Sequence, residues 1–379
     1  ADKGNSWKII SPDLTTNDSA FQKQATSGGL TIDATQAENY TSIICVSPSS
    51  INKDIIWVGT DDGNIQLTIN GGADWSIQNS KLKGLPKNGW IPQIITSTFN
   101  EKEAWVVVNN YRNNDWKPYL YYTNNSGESW RNLVDESKVS GHCLSFVQDP
   151  VEPNLLFLGT ENGLYFSLNK GDAWQRWWKG YPHVSSMDMK IQAREKDLVV
   201  GTFGRAAFVF DDLEPLRSAA EKGGEDFGEL KMFAVRDAYL AYNAAATGTR
   251  FTADAIFKGD NRKRGALVSY WKSFEKAEEI EKKDEAKEKK DRKKEKLHVV
   301  IFNQEGDTIR NFIAKPDTGL NRMYWDLSRN GVRYPSYAKP KKDAEPSRGP
   351  GVSPGKYLIK MIEGSIRDSS WVNVLTHPR

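Results

Sequence analysis

The chain is poor in the residues that most chemistry-bearing motifs need. Its 379 residues include only two cysteines and four histidines. Cys45 and Cys143 each lie in an apolar, strand-like run, SIICV and HCLSF, and read as buried free thiols, with a single disulfide as the alternative. His142, His183, His298 and His377 show no metal-ligand spacing, so neither a metal nor a cofactor is expected. No P-loop, Rossmann glycine pattern or GxSxG elbow occurs. Charge of one sign is also lacking: 52 basic against 49 acidic residues leave +3, which calls for no nucleic-acid partner and no acidic membrane. No apolar run approaches the roughly 18–20 residues of a membrane-spanning helix.

What the chain does have is tryptophan, 13 residues of it, much of it in a recurring pattern. TINGGADW (Thr68 to Trp75) returns as TNNSGESW (Thr123 to Trp130) and SLNKGDAW (Ser167 to Trp174), and a cut-short copy, ADKGNSW, opens the chain. The preceding segments align too. TSIICVSP and DIIWVGTDDG match WIPQIITS and EAWVVVNN, then HCLSFVQDP and NLLFLGTENG. A further unit, SMDMKIQ, DLVVGTFGR and AAFVFDDL, keeps the strands and lacks the box. Gly59-Thr60, Gly159-Thr160 and Gly201-Thr202 hold equivalent places. Short runs rich in Val, Ile, Phe, Tyr and Trp, separated by turn residues, predict four-stranded antiparallel meanders. Repeats of about 40–50 residues with this content predict β-propeller blades.

The box falls between the third and fourth strands of a unit, where it has a structural use. Asn70, Asn125 and Asn169 can accept hydrogen bonds from the turn's own N–H groups. Gly72, Gly127 and Gly171 allow a backbone conformation that a Cβ penalises. Trp75, Trp130 and Trp174 can pack between neighbouring units. An amide cannot act as a general base, so the repeated Asn argues against a repeated catalytic carboxylate. Asp2, Gly4 and Trp7 match the third, fifth and eighth positions of the opening copy.

The pattern S/T-x-D/N-x-G-x-x-W resembles the Asp box, or bacterial neuraminidase repeat, of sialidases, xyloglucanase-type hydrolases and sortilin-type receptors. WKIISPDLTTND, GGLTIDATQAENYTSI, IWVGTDDGNIQLT, KPYLYYTNNSGESW, LLFLGTENGLYFS and DLVVGTFGRAAFVFDDLEPLR most resemble large bacterial sortilin-like or glycosyl-hydrolase-like propeller proteins. The departures are Asn for Asp in the boxes and Phe203 where a His often precedes Gly-Arg. No sialidase arginine triad or FRIP-like segment is present. The resemblance implies a fold, and a secreted, periplasmic or surface location, while leaving the activity open.

The expected fold class is all-β: the C-terminal blades of a β-propeller over residues 1–217, then an Ig-like β-sandwich over 218–379 with a charged insertion at 274–296. Because residue 1 falls inside a box, the remaining blades are expected from upstream sequence, as part of the same protein or as a separate fragment. AAEKGGEDFGEL reads as a linker. The later strands resemble the Ig-like domain of flagellar hook-capping proteins. The insertion alternates acids with bases, which suits a solvated helix or disorder rather than nucleic-acid binding.

In such blades the boxes share one face, and the variable loops share the other, where binding chemistry concentrates. The loop face would carry Asp61, Asp62, Trp90, Tyr111, Arg112, Trp116, Glu161, His183 and Arg205. These aromatics and carboxylates suit a glycan or a protein ligand. For hydrolysis, which needs two carboxyls about 5–9.5 Å apart, Asp61 pairs better with Asp33 or Glu38 than with Glu161, two blades away. Asp61, Asp62 and Glu161 read first as residues that shape tight hairpins, and Arg205 equally suits a ligand or a pairing with Asp211 or Asp212. Two readings follow: a binding or scaffold propeller outside the cell, and a secreted glycoside hydrolase.

Overall fold

A computed structural model describes residues 4–20, 22, 40–223, 227–241, 262–273, 296–332 and 345–376. The chain divides into two compact units, Ala1–Gly224 and Glu225–Arg379.

The first unit is a series of antiparallel meanders. They comprise β1 (Ile43–Pro48), β2 (Ile56–Thr60), β3 (Ile65–Thr68) and β4 (Ser76–Ile77); β5 (Trp90–Thr96), β6 (Ala104–Asn110), β7 (Asp115–Thr123) and β8 (Arg131–Asn132); β9 (Cys143–Gln148), β10 (Leu156–Thr160), β11 (Gly163–Ser167) and β12 (Gln175–Arg176); and β13 (Ser186–Gln192), β14 (Asp197–Thr202) and β15 (Ala207–Phe210). Each meander forms its own sheet in chain order. The first strands adjoin in sequence, β1 on β5, β5 on β9 and β9 on β13. Sheets stacked face to face with their first strands together are blades of a β-propeller.

Burial between blades holds the stack together. β6 reads AWVVVNN with every residue buried, the unbroken apolar run of a strand covered on both faces. Trp57, Ile65 and Leu67 meet Ile91, Ile94 and Val106 between the first two blades. Trp105, Val107 and Leu120 meet Phe146, Leu156 and Leu158 between the next two. Phe157 and Leu164 meet Met189, Leu198 and Val200 between the last two. Each such side chain contributes about 1.5–3 kcal/mol on burial. The recurrent Gly-Thr pair has two uses. A Cβ on Gly59 would lie 2.5 Å from Ile91 Cγ2, and one on Gly159 would lie 2.4 Å from Ser186 O, both in the next blade. Thr60 and Thr160 accept the N–H of Asn64 and Asn162, closing the turn that follows.

The boxes make the same bonds three times. Thr68, Thr123 and Ser167 accept the N–H of Gly72, Gly127 and Gly171 and donate to Asn70, Asn125 and Asn169. Each Asn then accepts the N–H four residues on, from Asp74, Ser129 or Ala173. The box glycines have φ of 95°, 76° and 89°, and they also touch the preceding element. A Cβ on Gly72 would lie 2.3 Å from Ile10 O, one on Gly127 2.7 Å from Gln78 Oε1, and one on Gly171 2.7 Å from Leu133 Cδ1. Trp75 donates to Ile10 O at 2.8 Å, and Trp130 meets Trp57 edge-on at 5.6 Å. Trp174 packs against the core between the second and third blades. Trp7, of the opening copy, is 92% exposed, Gly4 is exposed at φ 87°, and Asp2 lies outside the described residues.

The fourth blade ends differently. After β15 comes α1 (Glu214–Glu221), so the compositional boundary at 217/218 falls inside a helix. Ala219 and Ala220, which read as linker, are buried in it. Arg217 donates from Nε to both oxygens of buried Asp149 at 3.0 Å, tying the helix to the third blade. Cys45 and Cys143 are free thiols, and burial pushes the Cys143 thiol up to about 12.

The second unit contains β16 (Leu230–Met232), β17 (Ala238–Leu240), β18 (Ala266–Lys272), β19 (Leu297–Phe302), β20 (Thr308–Ala314), β21 (Gly319–Trp325), β22 (Ser328–Asn330), β23 (Arg348–Gly351), β24 (Gly355–Glu363) and β25 (Ile366–Thr376). Sheet β16-β18-β21 and sheet β17-β25-β24-β19-β20 share one core, a β-sandwich. Val268, Tyr270 and Trp325 come from the first sheet, and Val299, Ile301, Ile359 and Val372 from the second. The early strand β17 pairs with the last strand β25 in parallel. Of the charged insertion, residues 274–295 lie outside the described residues.

Candidate functional site

The loop face of the first unit is where the blades depart from regularity. Every first strand changes register near its start: between Ile43 and Cys45, Trp90 and Gln93, Cys143 and Ser145, and Ser186 and Asp188. Such bulges re-aim side chains. Pro92, Leu144 and Met187, each inside one of these irregularities, line a groove of about 320 Å³ along β5, β9 and β13. Gln93, Asn109, Ser145 and Asp188 supply its polar lining, and Trp90, Tyr111 and Arg112 form its wall.

That wall is a continuous stack. The Arg112 guanidinium lies 3.6 Å from the Trp90 ring centre and 4.6 Å from that of Tyr111. Tyr111 meets the His142 ring at 4.8 Å, and Trp116 meets His142 at 5.6 Å and Tyr111 at 5.9 Å. A 3-10 turn, Tyr111–Asn113, presents these groups and is ended by Asn114 at φ 58°. Asp115 pins its base by accepting from Asn110 and from the Tyr119 hydroxyl. Burial opposes the Asp115 charge, yet hydrogen bonds from Asn110, Tyr119 and the Lys117 N–H hold its carboxyl below the usual range. Burial and the same bond push Tyr119 up to about 12.

His142 lies beneath the stack, with Nδ1 3.2 Å from Glu161 Oε2. That approach does not meet hydrogen-bond geometry, and Nδ1 is buried with no other hydrogen-bond partner. Burial pushes the imidazole below its ordinary value, Glu161 draws it back, and Arg112 lowers it further. The Glu161 N–H donates to His142 O, as Asp61 N–H does to Ser42 O and Phe203 N–H to Ser185 O. Asp61, Glu161 and Phe203 are therefore equivalent positions in three blades.

The structure separates the residues singled out by sequence. Trp90, Tyr111, Arg112, Trp116 and Glu161 come together in or beside the stack. Asp61 and Asp62 are buried and engaged: Asp61 accepts the Ser42 N–H at 2.7 Å, and Asp62 accepts the Thr16 N–H and hydroxyl at 2.7 and 2.6 Å and bonds Thr60. They shape the turn and anchor the strap around Thr16. Asp33 and Glu38, their expected catalytic partners, lie outside the described residues. His183 and Arg205 are exposed, and among the described residues neither bonds to the stack. His142, Asn109, Gln93 and Asp188 were not marked by any motif. A positional signal existed for His142 alone, which stands where Ser42 stands in the first unit. Among the described residues no group of three or more His, Cys, Asp or Glu side chains is placed to hold a metal ion, and no helix is long and apolar enough to cross a membrane.

No protein-family model matches the chain, and no curated protein matches it in sequence. Solved structures do match. A GH74 enzyme of Niastella koreensis is similar over 62% of this chain and 29% of its own, with 15% identity and a TM-score of 0.35. An ancestral GH74 enzyme is similar over 88% of this chain and 41% of its own, with 12% identity and a TM-score of 0.32. YCF48 bound to D1 peptide is similar over 45% of this chain and 55% of its own, with 14% identity and a TM-score of 0.32. The chain thus spans less than two thirds of the length of each.

Proposed function

We propose that the chain is the binding part of a β-propeller protein working outside the cell or in its envelope, and that its ligand is a glycan seated in the groove along β5, β9 and β13. The observation that carries this reading is the coincidence of three bulged strands with one aromatic wall at a single groove. Small-molecule sites combine apolar walls with a few polar groups of fixed direction. Pro92, Leu144, Met187 and the ring edges of Trp90 and Tyr111 supply the walls. Asn109, Asp188 and Arg112 supply acceptors and donors of both signs, which suits hydroxyl groups that both give and take hydrogen bonds.

Binding is favoured over hydrolysis. Cleavage of a glycosidic bond needs two carboxyls across the substrate. Asp188 is the acid that lines this groove among the described residues, and Asp61 and Asp62 are committed to backbone N–H groups. Calorimetric titration of the intact protein with a panel of oligosaccharides tests the reading. At least one neutral glycan should bind, and Trp90→Ala and Arg112→Ala should each weaken it about tenfold or more, a loss of about 1.4 kcal/mol. Failure of every glycan to bind, or equal binding by both variants, would contradict the proposal. Release of reducing ends on incubation would restore the hydrolase reading.

A further inference from the structure

Among the asparagines of the blades, Asn109 is an exception. Asn64, Asn79, Asn110 and Asn132 each have their amide engaged with backbone or with a neighbouring side chain. Asn109 is 4% exposed, and its Oδ1 is buried without a hydrogen-bond partner. Turning the amide over would put a donor where the acceptor stands. A buried amide in this state destabilises the fold, so its presence at a groove asks for a use.

Its position supplies one. Asn109 lies opposite Trp90 in the β5–β6 ladder, beside the irregularity between Trp90 and Gln93. On its other edge the β6–β7 register shifts between Val108 and Asn110, so Asn109 is the residue that falls in the shift. Two ladder irregularities converge on one residue and aim it at the groove. Asn109 lines both that groove and a smaller pocket beyond it that Asn88 and Asn113 also border. The flanking charges, Arg112 and Asp188, are of opposite sign.

We propose that Asn109 is the specificity-determining anchor of the groove, and that it selects an uncharged pyranose by a hydrogen bond to one ring hydroxyl. The inference rests on the glycan reading above. A neutral amide in a groove lined by two opposed charges favours a neutral partner, and a hydroxyl satisfies the amide in either orientation.

The experiment is a variant-by-analogue cycle. Wild type, Asn109→Leu and Asn109→Ala are titrated with the best glycan of the panel and with its monodeoxy analogues, and each protein is melted. The expected result is about a tenfold loss of affinity in both variants, with a melting temperature equal to or above wild type. One deoxy analogue should lose about the same factor against wild type and nothing against the variants. Unchanged affinity in both variants overturns the inference and leaves the glycan reading standing. So does a deoxy series that penalises variant and wild type alike. A lowered melting temperature with uniform loss for every analogue marks a structural role and also overturns it. Tighter binding of a uronate than of its neutral parent overturns the claim of neutrality, and no binding by wild type overturns both readings together.

Discussion

The two ends of each blade follow different rules. At the box end three groups, a hydroxyl, an Asn and a Gly, make the same bonds in three blades, each box ends in a Trp whose contacts differ, and in the fourth blade a helix pinned by Arg217 and Asp149 takes their place. At the groove end the equivalent positions hold Asp61, Glu161 and Phe203, and the first strands bulge. Repetition marks the end that builds the stack, and variation marks the end that is free to acquire chemistry. The difference can be tested, because damage at the box end should lower stability and leave ligand affinity alone, with the reverse at the groove end.

The largest effect is expected from Arg217→Ala. It would leave Asp149 as a buried charge held only by the N–H groups of Val151 and Glu152. Breaking a buried pair from one side costs about 3–5 kcal/mol, read as a shift in the urea midpoint of the first unit. No shift would mean the helix does not substitute for a box. Next, Gly127→Ala places a Cβ 2.7 Å from Gln78 Oε1 and 3.0 Å from Trp57 at a φ of 76°. Strain and overpacking together should cost about 2–4 kcal/mol, and a midpoint within experimental error of wild type would break the comparison.

A smaller effect separates two boxes that look alike. Asn70 Nδ2 donates to Asp74 Oδ2, whereas Asn125 Nδ2 donates to the Ser129 hydroxyl. Asn70→Asp sets two carboxylates against each other and should cost about 0.5–1 kcal/mol. Asn125→Asp should be near neutral, because Ser129 can reverse its bond. Equal losses in the two melts would contradict this account of why amides stand where the resembled pattern has Asp.

The smallest expected effect is a pH dependence at the groove end. His142 has its folded-state value lowered beneath 6.5 by burial, so the unfolded chain binds the proton more readily. Stability from this group is complete above the unfolded value and is lost as pH falls through the window below it. The difference in stability between pH 7 and pH 5 should therefore shrink in His142→Asn, as followed by urea titration at each pH. An unchanged difference would show that Glu161 fully offsets the burial.

Much of the box end was legible in sequence, because its bonds span few residues. Thr68 to Gly72 is a contact four residues long, and the glycines and tryptophans recur at fixed offsets. The aromatic segment was legible too: Tyr111, Arg112 and Trp116 are close in sequence, and Trp90 opens β5. The bulges were not, since a register shift leaves the run of apolar residues looking the same. The turn-shaping role of Asp61 and Asp62 was legible, but their partners, 19 and 46 residues away, were not. The helix over Glu214–Glu221 was too short for its period to stand out, and its alanine pair looked like linker. His142 and Asn109 carry no motif, and their significance comes from what does or does not surround them.

The most direct test of the central claim, that the groove end is the binding end, is a titration of protein labelled with ¹⁵N at tryptophan and followed by indole N–H shifts. The account predicts that the glycan chosen from the panel moves the signals of Trp90 and Trp116 and leaves those of the box residues Trp130 and Trp174 in place. Movement confined to Trp130 and Trp174, with Trp90 and Trp116 unchanged, would contradict it.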